Sequence, residues 1–148
     1  MAVDFFYTLN ERDISDFREE GVQRLQSIKD KGYDSNLSSK EMYDVLYERC
    51  GRILCIVTDG DKPVGMLVLI EIEDVFRGER TLFIEMCHLD NIPGLFDEVH
   101  SEVEKLVAMD RYDSVRFHVQ RKGWAQKIAK SDSGYSIASH VVEKTYGR

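Results

Sequence analysis

Hydrophobic positions along this chain change their period several times, and each change marks an element. Val3, Phe5 and Tyr7 alternate with other residues, with Phe6 apolar as well, and predict a first strand that ends by Asn10. Ile14, Phe17, Gly21, Leu25 and Ile28 then recur at steps of three and four, which predicts an amphipathic helix over 14–31 closed by Gly32. A second helix is predicted over 39–49, with Met42, Val45 and Leu46 as its apolar stripe. Ser38 and Glu41 stand at capping-box spacing before it, so each can satisfy an amide of the other's turn.

From Ile53 onward the period is that of strands. Ile53–Thr58 is followed by an Asp59-Gly60 turn, and Val64–Ile72 is apolar almost throughout. Such a run suits a central strand covered on both faces. Arg77-Gly78-Glu79 turns the chain into a third strand, Thr81–Leu89. Leu95, Phe96, Val99, Val103, Leu106 and Val107 give a helix over 94–109. Val115, Phe117 and Val119 alternate with polar residues in a half-buried strand. A short helix carrying Trp124 and Ile128 and a last strand around Ile137, Ser139 and Val141 complete the order β-α-α-β-β-β-α-β-α-β. The meander of Ile53 to Leu89 is expected to be antiparallel. Thr81–Leu89 should pair in parallel with Val115–Val119 through a right-handed crossover. The expectation is one α/β domain over residues 1–148, with a mixed sheet and helices on both faces. Val68, Leu82, Ile84, Val103, Leu106 and Phe117 are its predicted core.

Composition narrows the partners. The 148 residues are 43% hydrophobic and 10% aromatic, enough for a substantial core. Twenty basic residues against 27 acidic ones leave a net charge of −7, which argues against nucleic acid and against a membrane surface as partners. No basic-then-apolar leader opens the sequence, so a soluble, cytoplasmic protein is expected. The three cysteines, Cys50, Cys55 and Cys87, have no framework spacing. Cys50-x4-Cys55 with Cys87-His88 can be drawn as a zinc site, but thiols inside apolar strands behave as small hydrophobes, and no metal is expected.

The element order, with the ending Arg121-Lys122-Gly123-Trp124-Ala125 … Ser133-Gly134-Tyr135, resembles the Gcn5-related N-acetyltransferase (GNAT) superfamily. The "GW…GY" ending is similar to that of short GNAT-like proteins, some encoded by tailed phages. The resemblance implies acetyl-CoA as cofactor and a small-molecule or protein amine as acceptor. In that family a glycine-rich turn after the fourth strand offers helix N-terminal amides to the cofactor's pyrophosphate. Asn91-Ile92-Pro93-Gly94-Leu95-Phe96 aligns with it: Gly94 matches, Asn91 stands for a basic or amide residue, Phe96 replaces a small one, and Pro93 removes an amide. From His88 to Glu104 there are five acids and no Lys or Arg, whereas Ser114 to Ser131 has Arg116, Arg121, Lys122, Lys127 and Lys130 and no acid. Arg121, Lys122 and Lys127 therefore become the candidate phosphate ligands beside Asn91 and Gly94, or else a solvated basic face.

Acyl transfer to an amine needs a base for the amine proton and an acid for the departing thiolate. Glu85, between Ile84 and Met86, is the base candidate if burial raises its pKa. It is equally an ordinary glutamate on an exposed strand face, because both faces of this strand carry large apolar residues. His88 is a second candidate. The family's tyrosine in the last helix has no counterpart here, and Tyr135 is the substitute acid. Two functions stay open beside a third, a small-molecule-binding module that keeps the cleft without transferring anything. One is an acetyl-CoA-dependent N-acyltransferase with a divergent phosphate turn. The other is a catalytically inactive GNAT-fold protein that binds other protein subunits, for example a phage virion or host-interaction protein, placed in host cytoplasm or virion.

Overall fold

The computed structural model describes residues 1–7, 17–48, 51–118 and 144. By its contacts the chain divides into two compact units, Met1–His118 and Val119–Arg148. The predicted short helix after Gly123 and the last strand lie outside the described residues, as does the start of the first helix.

The first unit holds β1 (Val3–Tyr7), α1 (Arg18–Asp30), α2 (Ser39–Tyr47), β2 (Ile53–Asp59), β3 (Lys62–Asp74), β4 (Glu79–Leu89), α3 (Leu95–Asp110) and β5 (Ser114–Phe117). The strands form one sheet in the order β1-β2-β3-β4-β5. The first four are antiparallel and β4 pairs with β5 in parallel; the β2–β3–β4 meander and the parallel pair are as the pattern predicts, and the pairing of β1 with β2 is the structure's addition. The β3–β4 hairpin is longer than the sequence suggests. Its ladder runs out to Asp74 and Glu79, because polar residues can pair in a hairpin arm that leaves the core.

Two hydrophobic clusters cover the two faces. Leu25 and Ile28 of α1 with Met42, Tyr43 and Leu46 of α2 pack on Leu54, Ile56, Met66, Val68 and Met86. Leu95, Val99 and Val103 of α3 pack on Cys55, Val57, Leu67, Leu69, Leu82 and Ile84. This double coverage is why β3 is apolar at consecutive positions. It also accounts for β1: Val3, Phe5 and Tyr7 join the α3 side, and Phe6 meets Phe17 on the other at 5.7 Å. The Tyr7 hydroxyl donates to Glu102 Oε1 at 2.8 Å and ties the edge strand to α3.

Local chemistry sets the element ends. The Ser38 hydroxyl accepts from the Glu41 amide at 3.1 Å, and Glu41 accepts from the Ser38 amide at 3.2 Å, the capping box expected at α2. At the end of α1, Gly32 takes φ +112° while the Tyr33 amide reaches back to the Ile28 carbonyl. Of the predicted core, Val68, Leu82, Ile84 and Val103 are buried. Leu106 and Phe117 are only half-buried. Phe117 sits on the short strand β5, and Leu106 faces the α3 side near that helix's end, so neither is enclosed on all sides among the described residues.

Candidate active site

The site is organised by an irregularity in β4. Val68 pairs with Met86 but Leu69 pairs with Ile84, so Glu85 is an extra residue opposite none on β3. A bulge of this kind bends its strand and re-aims side chains. Ile84 therefore belongs to the α3 face and Met86 to the α1–α2 face, although a regular strand would put both on one side. The sequence alone could not assign the faces of this strand, because both alternating sets, Leu82-Ile84-Met86 and Phe83-Glu85-Cys87, carry large apolar residues.

Pairing with β5 stops at the same point. Ile84 is the last β4 residue in register with β5, opposite Phe117, and the His118 amide closes the ladder on the Ile84 carbonyl at 3.0 Å. Beyond it, β4 runs on to Leu89 with no strand partner on that side among the described residues. A carboxylate thus sits where β4 loses its β5 partner among the described residues.

Glu85 is 12% exposed and held from two directions. Arg52 donates Nε to Oε2 at 2.8 Å and Nη2 to Oε1 at 3.3 Å, and the Tyr33 hydroxyl donates to Oε1 at 3.3 Å. Tyr33 is placed by the turn that closes α1, and Arg52 by the entry to β2. Burial raises the Tyr33 pKa, helped by the neighbouring Glu85 carboxylate and opposed by Arg52. A carboxylate has about four acceptor directions, so three donors leave one for an amine proton.

His88 lies three residues on and is engaged at both ring nitrogens. Arg24 Nη1 stands 3.0 Å from Nδ1, and Ser27 Oγ is 3.2 Å from Nε2. Arginine only donates, so Nδ1 accepts and Nε2 carries the proton toward Ser27. Burial lowers the His88 pKa, as do the Arg24 and Lys31 charges, against an opposing pull from Asp90 and Glu20.

The turn into α3 follows. Asn91 is exposed. Gly94 is the N-cap, left-handed at φ +82°, and supplies no side-chain acceptor. The Leu95 amide is already spent on the Ile92 carbonyl at 3.1 Å. Asp97 and Glu98 occupy the first turn of α3 and face its positive dipole end themselves. The Phe96 ring lies 6.2 Å from that of Phe117, so the position that is small in the family is filled by an aromatic contact.

Of the residues predicted from sequence, Glu85 and His88 share β4, and Asn91 and Gly94 lie in the turn after it. Tyr135, Arg121, Lys122 and Lys127 lie outside the described residues. For a CoA-type ligand the fit is partial. The β4 edge past Ile84, without a strand partner on that side among the described residues, suits a chain of amides, while the α3 turn offers backbone alone and acids nearby. Among the described residues no group of His, Cys, Asp and Glu could hold a metal. Cys50 is outside them. Cys55 and Cys87 are separated by Leu67 on β3, hence ~9–10 Å apart across the sheet. Burial pushes the Cys87 thiol up to about 12. No helix among them is long and apolar enough to cross a membrane.

Sequence reasoning missed Arg24, Tyr33 and Arg52. One signal was available: Arg24 interrupts the apolar stripe of α1 between Gly21 and Ile28, where a solvated arginine has no place.

The sequence matches no protein-family model and no curated protein. Solved structures are similar over nearly the whole chain. An aminoglycoside acetyltransferase from an uncultured soil metagenomic sample, crystallised with trehalose, is 14% identical with a TM-score of 0.70, over 99% of this chain and 96% of that one. A ribosomal-protein-alanine N-acetyltransferase from Brucella melitensis is 13% identical at 0.71, over 98% and 100%. A GNAT family acetyltransferase from Staphylococcus aureus is 13% identical at 0.69, over 99% and 100%. At this identity the likeness shows the fold, which is that of GNAT acetyltransferases.

Proposed function

We propose that this GNAT-fold protein is an N-acyltransferase that uses acetyl-CoA and an amine acceptor, with Glu85 as the base. One observation carries the reading. The β4 bulge puts a nearly buried carboxylate beside the point where the described β4–β5 pairing ends, so that an acid–base group adjoins β4 backbone that has no strand partner on that side among the described residues. Structural neighbours that act on amines support the class of acceptor.

Acetyl-CoA supplies a thioester carbonyl and a thiol leaving group. The chain's part is to orient and to move protons. Arg52 and Tyr33 fix the Glu85 carboxylate, which would take the proton that the amine loses as it is acylated and the thiol leaves. Amides of the β4 edge past Glu85 would donate to the carbonyl oxygen as charge builds there. Tyr135 is the candidate donor of the proton that the departing thiolate would need. Asn91 and the Gly94 turn would be the backbone holders of the phosphates, and Arg121, Lys122 and Lys127 are the candidates for their positive counter-charge.

Calorimetry with acetyl-CoA tests the binding step. Glu85→Gln should bind with unchanged affinity and transfer ~100-fold or more slowly, measured as thiol release over a panel of amines, because it keeps shape and removes the base. Arg121→Glu with Lys122→Glu should abolish binding. Absence of heat and of a thermal shift at millimolar acetyl-CoA sinks the reading. That result favours an interaction protein without catalysis, the reading supported by Phe96 packed toward Phe117 and by the acids in the first turn of α3.

A further inference from the structure

Arg24 is charged and 5% exposed on the core-facing stripe of α1. Its Nε donates to Glu20 at 2.9 Å. Nη1 meets His88 Nδ1 at 3.0 Å, Asp90 Oδ1 at 3.1 Å and the His88 carbonyl at 3.5 Å, and Nη2 meets the Pro63 carbonyl at 3.4 Å. Glu20 lies on its own helix. The remaining partners lie at the end of β4, in the turn after it, and at the start of β3. A buried ion pair of this kind is often no more stable than an apolar replacement of the same volume. Its geometry therefore calls for a role other than stability, and the geometry is that of a clamp. The turn it grips is narrow. The Asp90 amide donates to the Val64 carbonyl at 2.8 Å, Ile92 to Asp90 at 2.9 Å, and Leu95 to Ile92 at 3.1 Å, where α3 begins.

We propose that Arg24 is a positioning residue that locks α1 to the turn between β4 and α3 through His88 and Asp90, so that α3's N-terminal amides are held in one place by a side chain from the opposite face of the sheet. The consequence for acyl-CoA, that its phosphates find a preset turn, rests on the acyltransferase reading. The clamp itself does not. His88 is its ring-shaped spacer: Nδ1 must stay unprotonated to accept from Arg24. The charged groups that bear on it are Glu20 and Arg24 of α1, Lys31 at that helix's C-cap and Asp90 after β4.

The test compares Arg24→Met, Arg24→Lys and wild type by amide hydrogen exchange, with Leu67–Leu69 in the central strand as internal reference. In Arg24→Met the Asp90, Ile92 and Leu95 amides should exchange about tenfold or more faster relative to the reference, with Arg24→Lys between. Imidazole nitrogen shifts should show His88 protonated at Nε2 in wild type and titrating at higher pH in Arg24→Met. For acetyl-CoA, Kd should rise about tenfold in Arg24→Met while turnover at saturating cofactor stays within about twofold. Unchanged protection of the three turn amides, or acceleration no greater than the reference, overturns the proposal. Wild-type protein that binds no acetyl-CoA would remove the acyltransferase reading and leave the exchange result to decide the clamp. Should Arg24→Met not fold, Asp90→Asn, at a side chain 38% exposed, gives the same exchange readout with the same two outcomes.

Discussion

At the residue scale, Gly21 is the tightest position in the helical layer. A Cβ there would clash with Tyr43 Cε2. Tyr43 is 1% exposed and braced by the Arg18 guanidinium 5.3 Å from its ring, so it has little room to retreat. Gly21→Ala gains ~1 kcal/mol of helix propensity but forces overpacking worth ~1–3 kcal/mol or more. A net loss is expected in urea denaturation, and an unchanged midpoint would show that α1 and α2 separate freely. Phe76 is the opposite case. It is fully exposed at the β3–β4 tip, where Asp74 already accepts from the Arg77 amide and Gly78 takes the left-handed φ. Phe76→Ser should shift stability by no more than ~0.5 kcal/mol. His88 sets a pH dependence. Its folded pKa lies below the ordinary 6.5. Above pH 6.5 neither state is protonated and its contribution is fully present. As pH falls below 6.5 the unfolded chain takes up a proton that the fold resists, and stability declines until the folded pKa is passed. Thermal midpoints between about pH 7.5 and 5.5 should fall more steeply in wild type than in His88→Asn. Glu41 and Glu71, whose pKa values lie below the ordinary 4.5, contribute above that pH and lose their effect only in stronger acid.

At the scale of elements, each helix begins differently. α2 has a full capping box, so Ser38→Ala should cost ~1 kcal/mol and lower the thermal midpoint by a few degrees. α3 has a bare glycine N-cap and relies on Asp97 and Glu98 for its dipole. The second device saturates α3's N-terminus with the chain's own negative charge, which weakens it as an anion site. Replacing Asp97 and Glu98 with Asn and Gln should strengthen acetyl-CoA binding while slightly lowering stability, a pair of opposite signs that calorimetry and melting can read together. The β4 bulge is the other element-scale feature. One inserted residue moves Met86 and His88 to the α1–α2 face and leaves Ile84 on the α3 side. The strand was legible in the sequence. Its face was not, because alternation carries no mark of where it slips.

For the whole molecule, the succession of periods determined the layers. A helical or strand period is a local property of neighbouring side chains, so the element order, the capping box at Ser38 and the doubly covered β3 could be read without coordinates. The same holds for the likeness to the GNAT fold, which rests on that order. Tertiary structure alone decided which residues meet. Glu85 was a candidate from the sequence, but its partners Arg52 and Tyr33 lie 33 and 52 positions away. Arg24 reaches His88 across 64 positions. Pairings at such separations depend on how the sheet is ordered and where it bulges, and no period along the chain encodes them. Phe117 and Leu106 illustrate the same limit. Their periods placed them on the inward side of their elements, and the short strand and the helix end then left them half-covered. A period fixes direction, and depth comes only from what is packed on top.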